Sequence, residues 1–248
     1  MSGHSKWNNI KRKKEATDGA KAAVFTKIAK EIAVAVKEGG PDPANNGKLR
    51  DCIAKAKANN VPNDNIDRCI KKAAGSKDGN NFEEITYEGY GPSGVAVIVE
   101  TLTDNRNRTA GDLRHYFDKF GGNLGQNGCV SFLFTQQGVV IIENDGSLDE
   151  EKVMDDAFDV GAEDVNFEED AIEITCQPND LRNVREGLEA KGYTLASAEV
   201  AQIPSTTTTI TDPELVIKMN KLLDALEEND DVQNVFHNWD MPEEPDEE

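Results

Sequence analysis

The chain has few of the residues from which metal and redox sites are built. Its four cysteines and three histidines are scattered over 248 residues, and no two cysteines stand at the Cys-x-x-Cys spacing. Zinc sites and dithiol redox sites need such pairs. We therefore expect reduced, mostly buried thiols, no metal site and no cofactor.

Long apolar runs are also absent. The longest uncharged apolar stretch, Val95–Val99, is far shorter than the roughly 20 residues that span a bilayer. The first residues, Met1 to Trp7, contain no apolar segment of the kind that a secretory signal has. The sequence therefore predicts a cytoplasmic protein without a membrane partner.

No grouping of catalytic residues stands out. Ser, His and Cys are not placed as a nucleophile with its base, and there is no P-loop or His-Glu-x-x-His motif. Gly89–Gly94 fits the pattern Gly-x-Gly-x-x-Gly, but the strand-like Val95–Val99 follows where a dinucleotide fold needs a helix. This motif therefore predicts a hairpin turn, and we expect neither an enzyme nor a small-molecule substrate.

Positive charge is scarce overall, but it is concentrated at one end of the chain. The net charge is −20. Residues 1–77 hold 17 Lys and Arg against 8 Asp and Glu, a balance of +9, whereas the remaining residues hold 10 against 39, a balance of −29. This asymmetry is typical of a protein with one segment that faces a polyanion, although Lys-rich helix surfaces can also be plain solvated faces.

Residues 1–77 have helical periodicity. Apolar residues recur at a 3.6-residue spacing in residues 11–38 and in two shorter segments. Asn46 or its neighbour Asn45 can cap the second segment, and Asn63 or a neighbour can cap the third. The pattern therefore predicts a small three-helix bundle.

From Asn81 onward, alternating β-branched segments are interleaved with helical ones. Residues 138–203 follow the order β-α-β-β-α-β of a ferredoxin-like unit. Residues 81–137 include a predicted strand at Cys129–Phe134, and they lack one helix and one strand of a second such unit. Residues 204–240 supply both, so the middle unit interrupts the outer one.

The predicted fold class is therefore an α+β multidomain protein, with an N-terminal three-helix bundle and two ferredoxin-like α/β domains, one inserted into the other. Its predicted parts are a basic helical domain at 1–77, a discontinuous domain at 81–137 and 204–240, an inserted domain at 138–203 and a disordered acidic tail at 241–248.

The densest basic run is Lys6–Lys14, where five cations and an indole lie within nine residues. Cations neutralise phosphates, and an indole can stack on an unpaired base; alternatively, Trp7 packs beneath the bundle and the lysines only solubilise it. The candidate nucleic-acid-binding residues of the helical domain are Lys6, Trp7, Lys11, Arg12, Lys13, Lys14, Lys21, Lys27, Lys48, Arg50, Lys55, Lys57, Arg68, Lys71 and Lys72.

A second candidate site lies at Asp104–Thr109, where a predicted strand gives way to a helix. Backbone N–H groups, Asn105 and the guanidinium groups of Arg106 and Arg108 favour an anion there. Equally, Asp104 or Asn105 can cap the helix while both arginines pair with nearby acids. The residues alone leave the two interpretations open.

Several longer motifs carry a resemblance that spans nearly the whole chain. They are Gly3-His4-Ser5-Lys6-Trp7, Phe25-Thr26-Lys27, Gly39-Gly40-Pro41-Asp42-Pro43, Asn59-Asn60-Val61-Pro62 with Asn65-Ile66, Tyr87-Glu88-Gly89-Tyr90-Gly91-Pro92 and Thr103-Asp104-Asn105-Arg106-Asn107-Arg108-Thr109. Together they resemble the YebC/PmpR family of transcriptional regulators, which includes a mitochondrial translational activator of cytochrome oxidase.

The resemblance implies a helical domain followed by two ferredoxin-like domains, and a nucleic-acid function without enzymatic activity. It implies either a DNA-binding transcription regulator or a factor that acts on translating ribosomes. Where relatives carry more basic residues before Phe25, this chain has Gly19-Ala20-Lys21-Ala22-Ala23-Val24. Contacts from that turn are therefore expected to be weaker.

The expected partner is nucleic acid, either DNA or ribosomal RNA on the ribosome, bound by a monomer or a weak dimer. The balance of −29 outside the helical domain disfavours wrapping of long DNA and favours RNA mildly. The alternative is a protein-only adaptor whose acidic domains bind basic partners.

Overall fold

A computed structural model describes residues 18–75 and 81–241, with side chains from Ala22 onward. Residues 18–75 form α1 (Asp18–Gly39), α2 (Gly47–Ala58) and α3 (Asn63–Gly75). The next elements are β1 (Glu83–Tyr90), β2 (Ala96–Thr103), α4 (Arg106–Lys119), β3 (Asn123–Leu124) and β4 (Phe134–Glu143). Then come α5 (Glu150–Asp159), β5 (Asp164–Phe167), β6 (Ala171–Cys176), α6 (Leu181–Ala190) and β7 (Leu195–Pro204). The last are β8 (Thr208–Thr209), α7 (Pro213–Glu228), β9 (Val232–His237) and β10 (Trp239–Asp240).

These elements divide into two compact units. One contains the helical residues together with 136–203, and the other contains 80–135 together with 204 onward. The predicted fold class is confirmed, since three helices precede two sheet domains, one lying within the sequence of the other. The domain limits given above remain a prediction, and the tail beyond Met241 lies outside the described residues. No helix in the described ranges is long and apolar enough to cross a membrane.

The helical bundle is organised around Asn46. Its side-chain oxygen accepts from Leu49 N at 3.0 Å and so caps α2, which makes it the cap of the two candidates, Asn45 and Asn46, that the sequence offered. Its amide nitrogen donates to Ala35 O at 2.7 Å and to Gly40 O at 2.8 Å, which satisfies carbonyls at the end of α1. One buried side chain thus joins the end of one helix to the start of the next. The core beneath contains Ile28, Ile32, Ala35, Val36, Leu49, Cys52, Ala56 and Ile66.

The outer sheet has the strand order β3-β1-β2-β9, and its paired strands are antiparallel. Helices α4 and α7 cover one face, where Leu113 and Phe117 meet Met219, Leu222 and Leu223 in one core. Strand β2 is buried on both faces from Ala96 to Val99, which explains its continuous run of apolar residues.

The Gly-x-Gly-x-x-Gly motif is the β1–β2 hairpin turn, as predicted. A Cβ atom on Gly89 would lie 2.6 Å from Asn123 O, and one on Gly91 would lie 2.7 Å from Met219 Sδ. These glycines therefore permit close packing of a strand and a helix against the turn.

The inserted sheet has the order β5-β6-β4-β7, with β6 antiparallel to both β5 and β4. Helices α5 and α6 pack on it through residues such as Val153, Ala157, Val184 and Leu188. Two helices thus cover one face of a four-stranded sheet in each of the two domains, which is the ferredoxin-like arrangement.

The predicted strand at Cys129–Phe134 is wrong. Residues 131–133 form a short 3-10 turn, and β4 begins only at Phe134. The buried carboxylate of Glu88 accepts the N–H groups of Val130 and Ser131, each at 2.8 Å. Because these N–H groups are bound by a side chain, the segment cannot form the ladder of a sheet strand.

A single carboxylate ties α2 to α6. Asp51 accepts from Arg182 Nη2 at 2.6 Å and Nε at 3.1 Å, and from Arg185 Nη1 at 2.9 Å. The Arg185 side chain is only 8% exposed. Partial burial raises the pKa of Asp51, but the hydrogen bonds from Arg182 and Arg185 outweigh this and lower its pKa overall.

Replacing Asp51 by alanine should lower the free energy of unfolding by about 2 kcal/mol, because the buried Arg185 guanidinium loses its closest acceptor. Removal of Glu38 is the matched control. Its contact with Lys48, at 3.1 Å, lies on the surface, so Glu38→Ala should cost less than about 0.5 kcal/mol. Urea denaturation followed by circular dichroism measures both, and equal losses would contradict the expectation.

Candidate nucleic-acid interface

Helix α3 presents three cations on one side. Ile66, Cys69 and Ile70 pack inward against α1 and α2. Arg68, Lys71 and Lys72 are exposed, and their spacing of three and four residues places them on one face of the helix. None of the three forms an ion pair with another described residue. We call Arg68, Lys71 and Lys72 the α3 cationic face.

The position of these cations on α3 is electrostatically favourable. Lys72 lies in the last turn of the helix, where the helix dipole is negative, whereas Asp64 lies in the first turn. The helix therefore carries its cations at its C-terminal half without needing nearby carboxylates to hold them. Lys57, in the last turn of α2, is likewise exposed and forms no ion pair within the described ranges.

Three other predicted cations are engaged by the protein itself. Lys48 Nζ lies 3.1 Å from Glu38. Arg50 donates to the carbonyl oxygens of Pro43 and Ala44, at 2.8 and 3.1 Å, and so holds the loop before α2.

Lys55 is the most constrained of these three cations. Its ammonium lies 2.8 Å from Glu31 and 3.9 Å from Glu199, and its side chain is only 21% exposed. Burial lowers the pKa of Lys55, but the attraction of Glu199 and Glu31 outweighs this and raises its pKa overall. Its charge is balanced within the protein, which makes it a poor phosphate ligand.

The remaining candidates of the helical domain are less well placed. Lys27 is half-buried on α1. Lys21 lies in α1, but its side chain is outside the described part of the chain. The described part of the chain also does not include the predicted residues Lys6, Trp7, Lys11, Arg12, Lys13 and Lys14.

The segment Asp104–Thr109 forms a hydrogen-bonded junction between β2 and α4. Asn105 caps α4 by accepting from Arg108 N at 3.1 Å. The Arg108 guanidinium donates to Asp104 at 3.0 Å and to the buried Asp231 at 2.7 Å. Asn105 and Arg108 therefore have roles in the fold, as one of the two interpretations of this segment expected.

Asp231 was not apparent as a site residue from the sequence. Its Oδ2 lies 2.9 Å from Thr109 Oγ1 and 3.2 Å from Thr103 Oγ1, so this carboxylate contacts both ends of the motif Thr103–Thr109. It stands 123 residues from Arg108, and no local pattern indicates such a pairing.

Arg106 differs from Arg108, because it is exposed and forms no ion pair in the described residues. Its carbonyl oxygen lies 3.4 Å from the hydroxyl of Tyr87. Among the residues predicted at Asp104–Thr109, Arg106 is therefore the cation that remains open to an external anion. In the described ranges no group of three His, Cys, Asp or Glu side chains is arranged to hold a metal ion.

Comparisons with known proteins cover both parts of the chain. Residues 5–76 match a family described as "TACO1/YebC protein N-terminal domain", and residues 82–239 match "TACO1/YebC second and third domain".

Similar proteins have been described in several bacteria. A protein of Acetivibrio thermocellus is 60% identical over 96% of this chain and 99% of its own length, and is named a probable transcriptional regulatory protein. A protein of Ruminiclostridium cellulolyticum with the same name is 60% identical over the full length of both chains. The crystal structure of a conserved hypothetical protein from Aquifex aeolicus is 45% identical, has a TM-score of 0.82, and is matched over 93% of this chain and 95% of that one.

Proposed function

The chain belongs to the TACO1/YebC family, as its motifs indicated, and we propose on this basis that it is a non-enzymatic, nucleic-acid-binding regulator of gene expression in the cytoplasm. The observation that carries this proposal is the α3 cationic face, which is exposed and unpaired in the described part of a chain whose net charge is −20. The names of the bacterial relatives support a regulatory role.

The chemistry of the α3 cationic face suits phosphate groups. An arginine and two lysines on one helix can each neutralise a phosphate and release its counterions. Elsewhere, Lys48, Arg50 and Lys55 already have partners within the protein. We therefore assign phosphate binding to Arg68, Lys71 and Lys72, together with Lys57 and the basic run Lys6–Lys14.

We further propose that the target is structured RNA, as found on the ribosome, rather than long duplex DNA. Residues beyond 77 carry a net charge of −29. Charges are screened over about 8 Å at physiological ionic strength, so a long duplex lying against the protein would meet repulsion outside the helical domain. A compact RNA element can contact the cationic residues and lie against less of the acidic surface than a long duplex would.

The experiment that tests this proposal compares three ligands with the full chain. Fluorescence anisotropy measures binding to a labelled RNA hairpin and to a DNA duplex of the same sequence, between about 50 and 200 mM salt. Sucrose-gradient sedimentation measures association with ribosomes under the same conditions. We expect tighter binding to the RNA and co-sedimentation with ribosomes.

Two results would contradict the proposal, each in a different way. Tighter binding to the DNA duplex without ribosome association would replace the RNA target by a transcriptional one. Absence of binding to all three ligands at the lowest salt would overturn the nucleic-acid function altogether, as expected for a protein-only adaptor.

A further inference from the structure

One long segment of this highly charged chain has no charged side chain at all. Charged residues make up 30% of the sequence, yet residues 120–142 contain no Asp, Glu, Lys, Arg or His. Residues 138–142 at its end are buried in β4, but the loop before this strand reaches the surface. Gln126, Asn127, Ser131 and Phe132 are exposed there, so this surface offers neutral hydrogen-bonding groups and an aromatic ring.

The side chain of Glu88 holds residues 128–131 of this loop in place. Its carboxylate accepts from Gly128 N at 2.7 Å and from Val130 N and Ser131 N at 2.8 Å each. Burial raises the pKa of Glu88, but hydrogen bonds from the three backbone N–H groups and from the Ser131 side chain outweigh this and leave the pKa below its ordinary value. The carboxylate is therefore ionised, and it fixes the backbone of residues 128–131.

Further bonds fix both ends of the loop. The hydroxyl of Tyr90 donates to Cys129 O at 2.9 Å, and Gly125 N donates to Glu88 O at 2.8 Å. After the loop, Ser205 N and Oγ donate to Leu133 O, at 2.8 and 3.0 Å. The loop is thus preorganised and does not need to be ordered by a ligand.

Phe132 projects from this rigid loop with 72% of its surface exposed, the largest exposed fraction among the large hydrophobic residues described. A phenyl ring left in water forgoes the favourable free energy of burying its apolar surface. The neighbouring residues of the loop are uncharged. The position of the ring suits contact with a flat, weakly polar partner.

We propose that residues 125–132 form a base-binding site, in which Phe132 stacks on an unpaired base of single-stranded RNA. The side-chain amides of Gln126 and Asn127 are suited to hydrogen bonds with the edges of bases, whereas the side chain of Ser131 is bonded to Glu88 and helps to hold the loop. This inference rests on the proposed nucleic-acid function and deepens it, since it assigns base contacts to one loop and phosphate contacts to the α3 cationic face.

The lack of charge favours a base over a phosphate or a charged peptide. A base is uncharged, and every base has a flat face that an aromatic ring can cover. A cationic protein partner would find no carboxylate on this loop, and an acidic one would find no cation. A base is therefore the partner that best suits the amides of Gln126 and Asn127 and the ring of Phe132.

The test measures binding of the full chain and its Phe132→Ala variant to a labelled single-stranded RNA and to the corresponding RNA duplex. Loss of one stacking contact should weaken binding to the single strand by roughly tenfold and leave the duplex unaffected, because its bases are already stacked. Phe132→Trp should retain wild-type affinity. The slope of affinity against salt should not change, since Phe132 touches no phosphate.

Ile217→Ala is the matched control, because Ile217 is also an exposed apolar residue of the same unit, 54% exposed on α7. Equal affinities of the Phe132→Ala and Ile217→Ala variants for the single strand would overturn the base-binding site and leave a protein partner for the ring. So would an equal loss on single strand and duplex. If the wild-type protein binds no RNA at all, the proposed RNA target itself fails.

Discussion

Replacing Arg68, Lys71 and Lys72 together by glutamine should weaken RNA binding by about a hundredfold at 0.1 M salt. Each neutralised phosphate of a single strand contributes about 0.7 to the slope of log affinity against log salt, so three cations contribute about 2. The affinities of variant and wild type should therefore converge as salt increases. Fluorescence anisotropy over a salt series measures the affinity and the slope together.

A second triple variant separates local contacts from the general effect of charge. Arg114, Lys218 and Lys221 are also one arginine and two lysines, exposed on α4 and α7 and without ion pairs in the described residues. Their replacement by glutamine changes the net charge by the same amount, yet we expect it to leave the salt slope near that of the wild type. If both triple variants lose the same affinity, the α3 cationic face is not a binding surface.

Replacing Glu88 by glutamine should lower the free energy of unfolding by about 3 kcal/mol. The amide keeps the shape of the side chain but loses the charge, and its NH₂ group must face at least one of the N–H groups that the carboxylate accepts. A buried donor is then left without an acceptor. Urea denaturation followed by tryptophan fluorescence, to which Trp239 in the core of the outer sheet contributes, measures the loss.

The effect of Glu88 should also depend on pH in a defined direction. Because its pKa is lowered in the folded protein, Glu88 stabilises the fold above pH 4.5, the ordinary pKa of the side chain. This stabilisation is lost as the pH falls from 4.5 towards the folded pKa, so wild type and Glu88→Gln should become more alike there. Glu83→Gln, an exposed change on the same strand, should have little effect at any pH. A Glu88→Gln variant as stable as Glu83→Gln would contradict this account.

The regular elements could be predicted because their signals are local. The order β-α-β-β-α-β expected for residues 138–203 matches β4, α5, β5, β6, α6 and β7, and the helix and strand expected in residues 204–240 are α7 and β9. Asn45 and Asn46 were both indicated as caps by their position before an apolar helix, and Asn46 is the cap. Hydrophobic periodicity and capping residues act within a few positions, so a single sequence contains them.

The features that sequence reasoning missed depend on pairs of distant residues. The strand predicted at Cys129–Phe134 does not form because Glu88, 40 or more residues away in the sequence, binds the backbone N–H groups of this segment. Lys55 is engaged by Glu31, 24 residues before it, and Arg108 by Asp231, 123 residues after it. A cation counted in a sequence is therefore a candidate only, and the fold decides which cations remain available to a ligand.

The interruption of one domain by another has a consequence for the growing polypeptide. The inserted sheet is complete once residue 204 has been synthesised, whereas the outer sheet waits for β9, which ends at His237. Until then β2, apolar on both faces, has an open edge to which another nascent chain could pair. A pause in translation between residues 204 and 237 would prolong the period in which the nascent chain is most prone to aggregate.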